Sequence, residues 1–328
     1  MKVLVTGGAG YIGSHFVMES ISMGHSPVVY DNLSTGHEWA LGGAAFYKAE
    51  LSDRAFLYDV LKKEGIEAVV HFAANAYVGE SVVNPRKYFN NNYVNTLGLL
   101  DAMVEAGVGS IVFSSSCAVY GTPDRMPITE DTPRAPINPY GLSKLFVEDT
   151  LKWYGQAYGL RYLALRYFNA AGAATDASLG EVHEPETHLI PLVLLAGEGV
   201  RPQIEVFGSD YPTEDGTCVR DYIHVLDLAS AHLKALGHLG EGGPSGTYNL
   251  GTGRGHSVME IINAARKVTG REIPIRLAPR REGDPPVLVA DSSRAREALG
   301  WEPAYDDIET VIEHAWGWLK AAIEKGRL

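Results

Sequence analysis

The sequence predicts a doubly wound α/β protein: a parallel sheet covered by helices on both sides, with a smaller C-terminal lobe that closes over the strand ends and binds substrate. Three observations carry that expectation. Short apolar runs of β-forming residues alternate with helix-length stretches through roughly the first half of the chain. The runs are apolar on both faces, as strands buried on both sides require. A cluster of glycines joins the first run to the first helical stretch.

The elements follow in order. KVLVTG (2–7) is a β-forming run ending in glycine, and the apolar spacing of 11–24 is helical. SPVVYD (26–31) and AAFYKAEL (44–51) read as strands, 54–64 as an amphipathic helix and EAVVHFA (67–73) as a strand. A long helix is expected over 86–106, then a strand at SIVFSSS (110–116). The next helix runs from Pro139, which suits a first turn where no backbone N–H is needed, to about 158. LRYLALRYF (160–168) is the following strand. From 170 to 216 the chain is rich in Gly, Pro, Asp and Glu and reads as loops over a cleft, and GTGRG (251–255) also reads as a loop. The expected division is a nucleotide-binding part, 1–169 with 218–250 returning to it, and a substrate lobe from 170–217 and 251–328.

Composition narrows the function classes. With 328 residues, 45% hydrophobic and 21% charged, the chain has material for a large core. A net charge of −12 leaves no broad basic surface, so neither nucleic acid nor an anionic membrane is an expected partner. Cys117 and Cys218 lie too far apart in sequence for a Cys-x-x-Cys site and read as free thiols. The apolar run at the N-terminus is too short for a signal sequence or a membrane span, and a cytoplasmic location is expected.

TGGAGYIGSH places Gly7, Gly10 and Gly13 between the first strand and the first helix. Glycines there permit a tight turn, let a pyrophosphate approach N–H groups at the helix start, and allow close helix packing. Asp31 ends the next strand, at the distance a ribose 2′-OH acceptor requires. Its carboxylate would repel a 2′-phosphate, so the expected cofactor is NAD and not NADP.

PINPYGLSK (136–144) places Tyr140 and Lys144 one helical turn apart on one face. Tyr58 and Lys62 repeat the spacing by accident, on a helix whose polar face should be wet. Only Tyr140 follows a strand ending in serines, so Ser116, Tyr140 and Lys144 should meet at the cofactor rim. A tyrosine base at pH 7 needs its pKa lowered by about 3 units, roughly 4 kcal/mol, which an ammonium and a positive nicotinamide would supply together.

Gly-x-x-Gly-x-x-Gly with Tyr-x-x-x-Lys resembles the extended short-chain dehydrogenase/reductase family, whose fold is Rossmann-like. GGAGYIGSH, DNLSTG, HFAANAYVGES, FSSSCAVYG, LRYFNAAG, FGSDYPTEDGTCVRDYIHVLDLA and APRREGD together resemble its UDP-glucose 4-epimerase branch, from residue 1 to about 316. The resemblance implies an NAD-dependent isomerase acting on a UDP-sugar, commonly a homodimer joined through the helices at about 87–106 and 140–158. It implies cofactor contacts at Tyr11, Ile12, Asn32, Ser34, Thr35, Gly36, Glu50, Leu51, Phe72, Ala73, Ala74, Asn91, Ser114, Tyr167 and Phe168, besides the glycines, Asp31, Tyr140 and Lys144. Substrate contacts carry over to Ser116, Tyr140, Asn169, His188, Leu189, Val206, Phe207, Arg220, Arg281, Asp284 and Leu288. Plain structural alternatives are an Arg281–Asp284 loop ion pair and an Arg220–Asp221 pair.

Related dehydratases and decarboxylases resemble one another in placing acidic residues just after the serine or threonine of this strand. Cys117 and Ala118 stand there in this chain, so elimination has no obvious proton carrier and epimerisation is the expected reaction. Three positions differ from well-known members: Glu50 stands where many have an Asp near the adenine, Ala76 where some have a Lys near the phosphates, and Leu288 where a pocket Tyr is frequent, which leaves N-acetylated sugars open as substrates. HEPETH (183–188) carries two histidines and two carboxylates, but its spacing fits neither helix nor strand. A solvated loop without a metal is expected there.

Overall fold

The computed structural model describes residues 1–281 and 283–328. The chain forms β1 (Lys2–Thr6), α1 (Tyr11–Ser22), β2 (Ser26–Asp31), β3 (Ala45–Lys48), α2 (Arg54–Glu64), β4 (Ala68–His71), α3 (Val78–Val83) and α4 (Pro85–Tyr88). A π-helical turn, Phe89–Val94, leads into α5 (Asn95–Ala106), β5 (Ser110–Ser116), α6 (Pro139–Tyr158), β6 (Arg161–Tyr167) and β7 (Asn169–Ala171). Then come α7 (Leu189–Gly197), β8 (Ile204–Phe207), β9 (Val219–His224), α8 (Val225–Gly240), β10 (Gly246–Leu250), β11 (Gly255–Ser257) and α9 (Val258–Thr269). The chain closes with β12 (Ile275–Ala278), β13 (Val287–Leu288), α10 (Ser293–Leu299) and α11 (Ile308–Glu324).

Among the described residues, seven strands make the main sheet, in the order β10-β6-β5-β4-β1-β2-β3. The neighbours pair in parallel, with Val5 opposite Val29 on one side and Val70 on the other. Strand order reverses at β1, so a crevice opens at the carboxyl ends of β1 and β4, the place where open α/β sheets bind nucleotides. One face is filled by Phe16 and Val17 of α1 against Leu228 and Leu236 of α8, and the other by Leu57 and Leu61 of α2, Leu99 and Met103 of α5, and Leu151 of α6. A separate core joins α7, α9 and α11 through Val193, Ile261 and Ile312. β9 sits among β7, β11 and β13, and β8 pairs in parallel with β12.

Two expectations are corrected. The helix expected over 86–106 is interrupted by the π-helical turn, because its run of asparagines is a weak helix former and Asn92 turns its amide to other work. Asn92 Oδ1 accepts from Asn75 N (2.8 Å) while its Nδ2 donates to Asn75 O (2.9 Å) and to Ser143 Oγ (3.2 Å), clipping the loop after β4 to α6. The stretch 170–216 is not all loop: α7 and β8 lie in it. α7 is almost wholly apolar, with Pro191 in its first turn, so it lacks the amphipathic period that marks a surface helix.

Candidate functional site

The glycine turn does three different things. Gly7 has φ +71°, and an added Cβ would lie 2.5 Å from Ala73 N; at Gly13 it would lie 2.2 Å from Gly7 O. Those two glycines are required by the chain's own packing. Gly10 is not: the nearest atom to an added Cβ is Gly7 O at 3.4 Å, which leaves close approach by a ligand as the reason for glycine. Gly10 is also the N-cap of α1 and offers no side-chain cap, so the first N–H groups of the helix, at Tyr11 and Ile12, remain for an anion.

Asp31 accepts from Ala9 N (3.0 Å) and Leu33 N (2.8 Å), and burial raises its carboxyl above the usual range against those two bonds. Each carboxylate oxygen keeps a second lone pair for a ribose hydroxyl. Asn32 Nδ2 donates to Glu50 Oε2 (3.0 Å), and Asn32 Oδ1 accepts from Ser34 N (2.9 Å), which shapes the turn carrying Ser34, Thr35 and Gly36. Gly36 approaches Ala9 so closely that a Cβ would lie 2.8 Å from the alanine's own.

α6 brings the tyrosine to the serines. Asn138 caps it, accepting from Gly141 N at 2.8 Å, and Pro139 starts it. Gly141 lets the helix press onto the turn after β5, where a Cβ would meet Ala118 O at 2.4 Å. Tyr140 therefore lies beside Ser116, whose hydroxyl favours its ionised form, and Lys144 Nζ donates to Ser114 O at 2.7 Å. The Lys144 ammonium lies 4.9 Å from the centre of the Phe113 ring and 5.8 Å from that of Tyr140. Tyr58 and Lys62 take no part, and Lys62 is exposed on α2.

The protonation balance differs from the expected one. Burial pushes the Tyr140 phenol up to about 12, only partly offset by the Ser116 hydrogen bond, and burial also brings Lys144 down to about 7. Removal from water is the largest effect on both groups in the protein alone, and at Lys144 the Glu148 carboxylate offsets part of it.

Other expected residues divide by where their side chains lie. Ser114 is fully buried with its hydroxyl on His232 Nε2 (2.8 Å), Leu51 and Ala73 belong to the core beside α2, and Phe72 and Tyr167 pack against the core beneath α8. Phe168 and Leu288 pack together beside Tyr120. Ala74 is half-buried and Asn91 Nδ2 donates to Asn92 Oδ1 at 3.0 Å. Asn169 begins β7, in register with Tyr222. Val206 is fully buried in the lobe core, so only its backbone is left to meet a ligand.

Neither plain ion-pair alternative is what forms. Arg220 pairs with Asp284, while the Arg281 guanidinium stacks over the Phe207 ring at 4.0 Å. Asp221 instead accepts from the backbone of Thr252 (2.9 Å), Gly253 (3.1 Å) and Ala290 (3.1 Å). Four expected substrate residues from β8, β9 and the loop before β13 thus form two contact pairs, with Leu288 in register with Arg220.

The solvated loop expected at HEPETH is also corrected. Glu181, His183 and Glu186 turn inward, their side chains 6%, 17% and 10% exposed, and gather with His188, whose side chain stays 40% exposed. Burial lowers the His183 imidazole, but the Glu181 and Glu186 carboxylates outweigh it and raise it to about 9. His188 is the N-cap of α7, which begins at Leu189.

Sequence reasoning missed the network behind β5. Glu148 accepts from Arg166 Nε (2.8 Å), Arg166 Nη2 (2.6 Å) and Ser115 Oγ (2.6 Å), and Arg166 Nη1 donates to Tyr120 OH (2.7 Å). Its one trace in the sequence is the second turn after Tyr-x-x-x-Lys, where Glu148 follows Lys144 at i+4 on the buried face.

The family model described as NAD dependent epimerase/dehydratase matches residues 3–251. The chain belongs to that family. The UDP-glucose 4-epimerase of Streptococcus mutans is 53% identical over 321 residues, 97% of this chain and 96% of that protein. That of Halalkalibacterium halodurans is 51% identical over 320 residues, 98% of this chain and 96% of that protein. The crystal structure of Brucella ovis UDP-glucose 4-epimerase in complex with NAD superposes with a TM-score of 0.94 at 52% identity, covering 96% of this chain and 97% of that one.

As an NAD-dependent epimerase/dehydratase family member, the chain has residues that fit the dinucleotide: an open Gly10, an uncapped α1 and a buried acceptor at Asp31. Gly10→Ala is expected to fold normally and to bind NAD about tenfold or more weakly, a loss of at least ~1.4 kcal/mol. Calorimetric NAD titration with circular dichroism checks this, and undiminished affinity would remove Gly10 from the phosphate site.

Proposed function

We infer that the chain interconverts UDP-galactose and UDP-glucose through a 4-keto sugar, with no net oxidation. One observation carries the reading: Tyr140 meets Ser116 at the carboxyl end of β5, and the residues after that serine, Cys117 and Ala118, carry no acid for elimination. Bound NAD⁺ supplies the acceptor and later the donor of the C4 hydride, and a positive charge beside the phenol. Tyr140 takes the proton of the sugar 4′-OH and returns it to the opposite configuration, and Ser116 orients that hydroxyl. Lys144, 5.8 Å from the Tyr140 ring centre, offsets part of the penalty of forming a phenolate.

Turning the sugar over requires that the diphosphate stay fixed. Arg220 and Arg281 suit that task, Asp284 suits the uridine ribose, and Phe207 has one face left for the base beyond the Arg281 stack. Arg220→Met is expected to raise KM for UDP-galactose about tenfold to a hundredfold with a smaller change in kcat, since a charged hydrogen bond contributes about 1.5–3 kcal/mol. Steady-state kinetics read the split, and an unchanged KM would exclude Arg220 from the clamp.

The decisive assay is interconversion of the two UDP-hexoses by the purified protein with and without added NAD. No interconversion with cofactor bound would end this reading. A panel with UDP-GlcNAc and UDP-arabinose separates the other 4-epimerase activities, because Leu288 is intermediate in size at the sugar pocket. The nucleotide part is proposed as 1–169 with 218–250, supported by β10 joining the main sheet, and the sugar lobe as 170–217 with 251–328. A homodimer through α6 and the π-helical turn that leads into α5 is supported by exposed Val94, Phe146, Trp153 and Tyr158, and a monomer in sedimentation equilibrium would contradict it. No described helix is long and apolar enough to cross a membrane; a cytoplasmic location is part of this reading and fractionation tests it.

A further inference from the structure

We propose that Glu181, His183, Glu186 and His188 form a binding site for a tetrahedrally coordinated first-row divalent cation, with zinc the best fit. The site does not include Ser116, Tyr140 or Lys144 and its existence does not depend on their role, although it takes His188, which the family resemblance places among the substrate contacts.

The argument begins with distances. One donor atom from each of the four residues lies within 4.8 Å of all the others. His183 Nδ1 is 3.1 Å from Glu181 Oε1 and 3.6 Å from Glu186 Oε2. His188 Nδ1 is 2.6 Å from Glu181 Oε1 and 3.2 Å from Glu186 Oε1. A tetrahedron with zinc bonds of about 2.0–2.1 Å has six edges of about 3.3–3.4 Å; the four His–Glu separations, which reach Glu186 through its two different oxygens, bracket that length, and the His–His and Glu–Glu separations are within 4.8 Å. Side-chain rotation, of the Glu186 carboxylate above all, would bring one donor from each residue to bonding distance of one central point.

Orientation is the second observation. His183 Nδ1 is buried and has no aligned hydrogen bond, although two carboxylate oxygens lie within 3.6 Å of it. An imidazolium held by ion pairing alone would direct its N–H along one of those lines. The nitrogen lies instead among several donors, as a metal ligand does. Two imidazoles and two carboxylates give an N₂O₂ set whose two negative charges balance a divalent cation; such a set suits zinc and not magnesium or calcium, which prefer oxygen ligands in greater number.

The surroundings hold the ligands in place. Glu186 Oε1 accepts from the amides of Thr187 (2.6 Å) and His188 (2.8 Å), and Tyr77 OH donates to Pro185 O (2.7 Å). Outer contacts of this kind orient metal ligands. The His183 ring sits edge to face with Tyr11 at 6.5 Å and with Tyr77 at 6.2 Å. Tyr11 opens α1 directly after Gly10, and Tyr77 follows Ala76. The cation would clasp the 181–188 loop onto the cofactor turn, a structural role beside NAD.

The test uses the whole purified protein with its cofactor. After dialysis against a chelator and then against zinc or cobalt, wild type should hold about one metal per chain by elemental analysis, and the cobalt form should show the intense visible bands of tetrahedral coordination. His183→Ala and, as the milder change, Glu186→Gln should lower metal content about tenfold or more while circular dichroism stays native. No uptake by wild type would overturn the proposal and leave a metal-free quartet of imidazolium and carboxylate groups. Equal uptake by both variants, or a weak octahedral cobalt spectrum, would overturn it as well.

Discussion

Tyr140→Phe is expected to lower turnover of UDP-galactose about a thousandfold, within the ~10²–10⁴ that a positioned acid–base group contributes, while NAD remains bound. The ring is 8% exposed and stays packed, and Lys144 still donates to Ser114 O, so the change deletes only the proton carrier. Cofactor content and kcat measured on one preparation separate the two effects. Unchanged turnover would refute the assigned base, and loss of NAD would show that the hydroxyl serves binding. Ser116→Ala should be milder, about tenfold, because it removes an orienting hydroxyl and leaves the base.

Glu148→Ala is expected to destabilise the protein by about 3–5 kcal/mol, the usual penalty for breaking a buried ion pair from one side. The Glu148 and Arg166 side chains are 3% and 4% exposed, so truncating the carboxylate strands a charged guanidinium among apolar neighbours. Urea denaturation checks the loss, and a penalty below about 1 kcal/mol would mean that water or Tyr120 replaces the carboxylate. Pairing Glu148→Leu with Arg166→Met should recover much of it, since the apolar pair leaves no unmatched charge. The damage should reach the site too: Glu148 holds Ser115, which lies between the serine that anchors Lys144 and the serine that meets Tyr140.

How much of this was legible in sequence depended on whether the signal was local. Apolar runs bounded by glycine placed β1, β2, β4, β5 and β6, because a strand buried on both faces has little freedom in composition. Gly7, Gly10 and Gly13 could be read together, but only the packing distances separate the two that serve the fold from the one that serves a ligand. The Tyr140–Lys144 spacing was readable for the same local reason. Its electrostatics were not, since the burial that sets both pKa values is produced by elements far away in sequence. Long-range partners were the main loss: Arg220 with Asp284, Asp221 with three distant amides, and Glu148 with Arg166 leave no periodic trace. α7 was hidden by being apolar all round, and the gathering of Glu181 with groups of 183–188 left no trace because polarity in a sequence says nothing about whether the groups face one another.

The central claim is that a buried phenol becomes a base. Burial places it near 12 in the protein with Lys144 already beside it, so acting at pH 7 requires about 7 kcal/mol of further phenolate stabilisation, which the positive charge of the oxidised cofactor must supply. The direct measurement is an ultraviolet difference titration at the phenolate band, wild type minus Tyr140→Phe, both loaded with NAD⁺. The account predicts one phenol ionising near neutral pH in wild type and absent from the variant. A difference spectrum that stays flat until strongly alkaline pH would contradict it.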